Sequence, residues 1–148
     1  MICERLNVTM LMYNKDCLLD AKATDLVDSI SMDDEKLIRF SLMIVINLVN
    51  MRLPNGKRFQ LYIVGADESK QKKWKKILDF NLDAINTKQR ISQVKHIDID
   101  DIVIDVLHPG DWSLELFMCD LYDIPEGEED MDIREIGEFV SSYFFEVL

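Results

Sequence analysis

The chain has 148 residues, 48% of them hydrophobic and 9% aromatic. That is enough for one buried core, short for two, and too apolar for a disordered chain. A formal net charge of −11 argues against nucleic acid or anionic membrane as a direct partner, and the chain reads as a single domain, residues 1–148.

The first element is a short strand over Leu6–Met12. In "DCLLDAKATDLVDSI", Leu19, Ala23, Leu26 (with Val27) and Ile30 recur at helical spacing. Ser31–Asp34, "SMDD", has the hydroxyl and the carboxylate three residues on that open a helix. The following Leu37–Met51 run is apolar nearly all round, and the cap favours a buried helix over a strand. Extended to Leu53, it contains Arg39, Asn47, Asn50 and Arg52 and falls short of the roughly 20 apolar residues of a membrane span. Asn55–Gly56 is a hairpin turn signal ahead of a strand over Arg58–Val64.

After Gly65, "ESKQKKWKKILDFNLDAI" reads as an amphipathic helix with Trp74, Ile77, Leu78, Leu82 and Ile85 as its apolar stripe. Lys70, Lys72, Lys73, Lys75 and Lys76 form its wet face. Val94–Leu107 and Trp112–Tyr122 are expected as paired strands turned at Pro109–Gly110, a hairpin covering the Asp98–Tyr122 region. A final helix is expected to direct Ile133, Ile136, Val140, Tyr143 (with Phe144) and Val147 to the core, leaving Glu135, Glu138 and Glu146 in water. The expected class is therefore α+β, a central antiparallel sheet with packed helices including a C-terminal one.

The stretch "HIDIDDIVID", His96–Asp105, admits a metal site or a wet strand face. Alternation places His96, Asp98 and Asp100 on one face and Ile97 and Ile99 on the other. The phase then slips to Ile102 and Ile104, as a β-bulge at Asp100–Asp101 would make it. A metal site needs further ligands. The other histidine, His108, lies about 12 residues on at roughly 3.3 Å each along an extended strand. The solvated face is the simpler reading, with no metal and no cofactor expected.

Other chemistry is weaker still. Asp111 and Glu115 flank "WSL", but Phe117 stands where a metal-dependent nuclease needs lysine. Cys119 inside an alternating strand reads as a buried thiol rather than a nucleophile paired with His96 or His108. The glycines form no phosphate-binding motif. Cys3, Cys17 and Cys119 are odd in number and without CxxC spacing, and the N-terminus lacks a signal-peptide pattern, so a reducing cytoplasm is expected.

The charge is divided. Residues 1–97 carry 16 Lys+Arg against 12 Asp+Glu, a net of +4, whereas residues 98–148 carry only Arg134 against 16 acids, a net of −15. A one-sign field is costly in self-repulsion and serves to steer a basic partner. The expected contacts are Asp111, Glu126, Glu128, Glu129, Asp130, Asp132, Glu135 and Glu138, with Phe139 as an aromatic anchor. No motif identifies a family. By profile alone, the chain resembles a bacterial immunity protein that occludes the basic active-site cleft of a nuclease-type toxin. Alternatives are a nucleic-acid-mimicking phage or viral inhibitor, a secretion chaperone or adaptor, or a small enzyme using His96 and Asp98 with His108 or Cys119.

Overall fold

The computed structural model describes residues 4–52, 56–66, 70–83 and 90–148. Their regular structure is almost entirely strand: β1 (Arg5–Tyr13), β2 (Ser29–Ile30), β3 (Leu37–Met51), β4 (Lys57–Ala66), β5 (Lys72–Leu82), β6 (Ile91–Asp105), β7 (Gly110–Asp120) and β8 (Glu138–Val147). The helical turns are three-residue 3-10 pieces at Leu18–Asp20, Ala23–Asp25 and Leu121–Asp123. The α+β expectation, with its packed helices and C-terminal helix, is overturned: the described residues are mostly β, in two sheets. Among the described residues, no helix is long and apolar enough to cross a membrane.

The strands form two sheets, one of order β1-β3-β6 and one of order β2-β8-β7-β4-β5. On β3 the even-numbered side chains Ile38, Phe40, Leu42, Ile44, Ile46 and Leu48 are all buried. They share one apolar cluster with Phe59, Leu61 and Ile63 of β4 and Leu114, Leu116 and Met118 of β7. The core is thus the space between the two inward faces, each large side chain contributing about 1.5–3 kcal/mol by leaving water.

β3 is a central strand between β1 and β6. Its outward residues Met43 and Val45 are half-buried as well, which explains a run apolar nearly all round without any helix. The "SMDD" signal makes a turn instead. Asp33 Oδ1 accepts from the backbone N–H groups of Glu35 (2.9 Å) and Leu37 (3.0 Å), and Lys36 takes a left-handed φ of 62°. An Asx turn and a helix cap use the same side-chain chemistry. The helix expected over residues 16–30 is two 3-10 turns leading into β2, which pairs in parallel with β8.

The hairpin expected in the Asp98–Tyr122 region does not form. Both segments are strands, but β6 pairs with β3 while β7 pairs with β4 and β8. The chain crosses between sheets at residues 106–109, where Val106 is buried and its N–H reaches Lys36 O at 3.0 Å. Nor do β3 and β4 pair across the Asn55–Gly56 signal, since they belong to different sheets; Asn55 and the expected Ile85 contact lie outside the described residues. The bulge read at Asp100–Asp101 is present: Phe40 pairs with Ile102 and Leu42 with Ile99, Asp101 has φ 50°, and Asp100 Oδ1 accepts from Leu18 N at 2.8 Å.

Gly65, on the inward face of β4, lies under the ring of Trp112. A Cβ there would meet ring carbons at 2.5 Å, and the indole is tethered by Nε1 donating to His108 O at 3.1 Å. Gly65→Ala should therefore lower stability by about 1–3 kcal/mol. Urea denaturation checks this, and an unchanged midpoint would contradict the close packing.

Candidate partner-binding face

The central strand β4 buries both faces, so something covers its outward side chains. Gln60 is fully buried there. Its Nε2 donates to Met131 O at 2.8 Å, and its Oε1 accepts from Ile133 N at 2.9 Å. One side chain thereby pins the segment after β7 across the outward face, with Ile133 buried beneath it. Arg58 grips Asp79 through two bonds of 2.8 Å, and Lys76 and Gln60 reach the same carboxylate. Burial raises the Asp79 pKa, but these donors outweigh it and hold the group below its ordinary value.

Beside Gln60 stands an aromatic row. Trp74 lies 6.2 Å from Phe117, and Phe117 lies 5.8 Å from Phe139, both edge-to-face. Tyr62 completes the group, 6.0 Å from Phe117. The Arg134 guanidinium sits over this platform, 4.7 Å from the Trp74 centroid and 4.8 Å from that of Tyr62. Its Nε and Nη2 donate to Asp132 Oδ2 at 2.9 and 2.6 Å. The Tyr62 hydroxyl lies 2.7 Å from Gln60 Oε1 and 2.9 Å from Asp132 Oδ1. Burial first, and then that carboxylate, push its ionisation well above the ordinary phenol range.

The Arg134 side chain holds the Asp132 pKa down to about 2 against a desolvation cost. A depressed carboxylate pKa contributes stability that is complete above the unfolded value of about 4 and is lost as pH falls through the folded value. Thermal melts between those two pH values should therefore fall more steeply for the native chain than for Asp132→Asn. Parallel acid limbs would show that the pair contributes nothing to folding.

The face is concave where Trp74, Phe117, Met131, Asp132, Arg134 and Glu135 line a hollow of about 590 Å³. Glu126, Glu128, Glu129, Asp130, Asp132, Glu135 and Glu138 are all exposed around the segment pinned by Gln60. Phe139 is 53% exposed, projecting outward opposite Phe117. Asp132 and Glu135 lie with Trp74 and Phe117 at that hollow, whereas Glu138 pairs with core-facing Met118, on the opposite face of β8 from Phe139. Asp111 does not join them: it pairs with Glu146 at the far end of the ladder on which Met118 pairs with Glu138, roughly 20 Å away at strand spacing. Of the lysines expected on a helix, Lys72, Lys73, Lys75 and Lys76 lie on the edge strand β5 and Lys70 precedes it, with Lys76 held by Asp79.

The residues of the enzyme alternative are dispersed. His96 and Asp98 pair with Val45 and Met43 on the outward side of the three-stranded sheet. Cys119 lies on the outward side of the five-stranded one opposite Arg58, with both sheet layers between, and burial raises its thiol pKa. His108 belongs to the crossover. Among the described residues, no three His, Cys, Asp or Glu side chains gather as metal ligands would.

Arg134 was invisible as a site residue in the sequence, where it is merely the one base in an acid series; Gln60 had no signal beyond being a polar residue in an apolar strand.

No family model and no curated protein matches the chain. Solved structures resemble it at low identity. An alkylpurine DNA glycosylase, AlkC of Pseudomonas fluorescens, solved bound to DNA containing an abasic site analog, is 13% identical with a TM-score of 0.46; the match covers 96% of this chain and 30% of the glycosylase. The chain therefore spans less than a third of that protein's length. The CARDB domain of the PF1109 protein of Pyrococcus furiosus, solved with di-metal ions, is 10% identical with a TM-score of 0.44, covering 97% of this chain and 93% of that one. The putative ApaA protein of Bordetella pertussis is 6% identical with a TM-score of 0.40, covering 97% and 94%. With every TM-score below 0.5, these likenesses carry nothing about what this chain binds.

Proposed function

We propose that this chain is a non-enzymatic binding protein that neutralises a basic partner, and most concretely a cytoplasmic immunity protein that covers the basic active-site cleft of a nuclease-type toxin. The observation that carries this reading is the contiguity of a half-exposed aromatic, Phe139, with an exposed run of carboxylates. An apolar anchor ringed by polar groups is the usual composition of an interface hot spot. The segment bearing the acids is pinned by Gln60 and by the Asp132–Arg134 pair, so little ordering entropy is left to lose on binding. The mechanism is occlusion, with carboxylates standing where the phosphates of the partner's substrate would lie.

The test begins with capture of partners from the native host and their identification by mass spectrometry. Surface plasmon resonance against the captured protein then compares two salt concentrations. Association should slow with salt, because exposed charges are screened over about 8 Å at physiological ionic strength. Phe139→Ala should mainly speed dissociation. Salt-independent binding untouched by Phe139→Ala would place the interface elsewhere and overturn the proposal.

A further inference from the structure

We propose that the outward face between Phe139 and Phe144 receives a single arginine side chain of the partner, with Glu115 as its counter-ion; this rests on the reading above that the partner is basic. The β7–β8 ladder sets the rows. Phe117 lies opposite Phe139, Glu115 opposite Ser142, Ser113 opposite Phe144, and Asp111 opposite Glu146. On its other side Glu115 faces Tyr62 of β4. The carboxylate therefore stands in the middle of an aromatic field. Its Oε2 is buried and has no hydrogen-bond partner. A buried, unpaired carboxylate oxygen is costly in a folded protein, and supplying a cationic donor removes that cost.

There is room for the donor. Val64, Lys72, Ser113, Glu115 and Phe144 line a concavity of about 210 Å³ beside the carboxylate. Phe144, one of its walls, is 74% exposed, so its ring is open to an incoming group. Among the described residues, Lys72 is the one cation lining this hollow, and the carboxylates of Asp111 and Glu115 outnumber it. The balance favours an incoming positive charge.

Arginine fits better than lysine. A planar guanidinium can donate twice to a carboxylate while stacking on a ring, and an ammonium cannot do both. The same sheet face already carries that arrangement internally, in Arg134 on Asp132 over Tyr62 and Trp74. Glu115 with Phe144 offers the corresponding carboxylate and ring with the guanidinium still to come.

The test is NMR titration of the full chain, at physiological salt, with three capped tripeptides of the form Gly-Xaa-Gly in which Xaa is arginine, lysine or the neutral isostere citrulline. The arginine peptide should give saturable shifts at Ser113, Glu115, Ser142 and Phe144. Glu115→Gln, which keeps the side-chain shape, should weaken it on the order of tenfold or more. Phe144→Ser, at an exposed position, should weaken it as well while leaving the spectrum of the folded chain in place. Equal shifts from lysine or citrulline would overturn the assignment to arginine. Shifts confined to residues 126–130 and indifferent to Glu115→Gln would overturn the Glu115 site while leaving the acidic surface of the proposed function standing. Absence of any saturable shift would overturn the site outright. Conversely, partner binding that is insensitive to salt and Phe139→Ala, alongside a Glu115-dependent arginine response, would sink the proposed function and keep the site.

Discussion

Gln60→Ala is expected to lower the free energy of unfolding by about 2–4 kcal/mol, a large effect for one polar side chain. Four hydrogen bonds converge on this buried amide, involving Tyr62, Asp79, Met131 and Ile133. Alanine leaves the Ile133 N–H without its acceptor beneath a buried side chain, and an orphaned buried donor costs more than a hydrogen bond contributes. The loss is also local. With its pin gone, the segment carrying Asp132 and Arg134 should open more often than the sheet below it. Amide exchange at Ile133 and Arg134 should speed up more than exchange at Leu61 or Leu116, and Trp74 fluorescence should change as the guanidinium leaves its ring. A destabilisation below about 1 kcal/mol, with uniform exchange, would show that Gln60 is not what holds the segment.

Reversal of Glu128, Glu129 and Asp130 to lysine is expected to slow association with the proposed basic partner on the order of tenfold to a hundredfold at low salt, with a far smaller change in dissociation. All three are exposed, so their contribution is to the long-range field rather than to desolvated contacts. For the same reason the reversal should leave stability within about 0.5 kcal/mol. The check is to repeat the rate measurement as salt rises, when the native and reversed chains should converge. Equal association rates at low salt would reduce the acidic third to a solubilising surface.

The strands that were legible in the sequence are those whose alternation is clean or slips once, and β6 is the clearest. There Ile97 and Ile99 give way to Ile102 and Ile104, and the slip is the bulge itself. Elsewhere the same device misled. In β5 Leu61 pairs with Leu78 but Tyr62 with Lys76, so Ile77 is an extra residue. It turns an alternating strand into Trp74, Ile77, Leu78 and Leu82, a series indistinguishable from a helical stripe. β8 repeats this at Val140, between the Leu116–Ser141 and Phe117–Phe139 pairs. Beyond the bulge, Tyr143, Phe145 and Val147 keep strict alternation, and the β-branched and aromatic content of that run was the better guide. Sheet partners were not legible, because alternation reports which side of a strand is buried and not which neighbour it pairs with. At the candidate face the acids and Phe139 were legible as exposed charge with an off-pattern aromatic. The Gln60 anchor and the Arg134 platform were not, since each depends on residues some 70 positions apart meeting across the sheet.

The order β1-β3-β6 against β2-β8-β7-β4-β5 has a kinetic consequence. Among the described strands, only β4 with β5 and β7 with β8 are antiparallel neighbours in both sequence and space. The three-stranded sheet must join Leu37 to Asp105 before its middle strand has two partners, and the entropy of closing that loop comes due before the core rewards it. Folding should therefore take on the order of milliseconds to seconds, the range of barrels and sandwiches built from distant pairings. During that interval β3, the most apolar strand, lies open along its edges, which is when chains join one another instead of themselves. A net charge of −11 keeps such half-folded copies apart, so the acidic surface also lets the chain reach its native state at ordinary concentration.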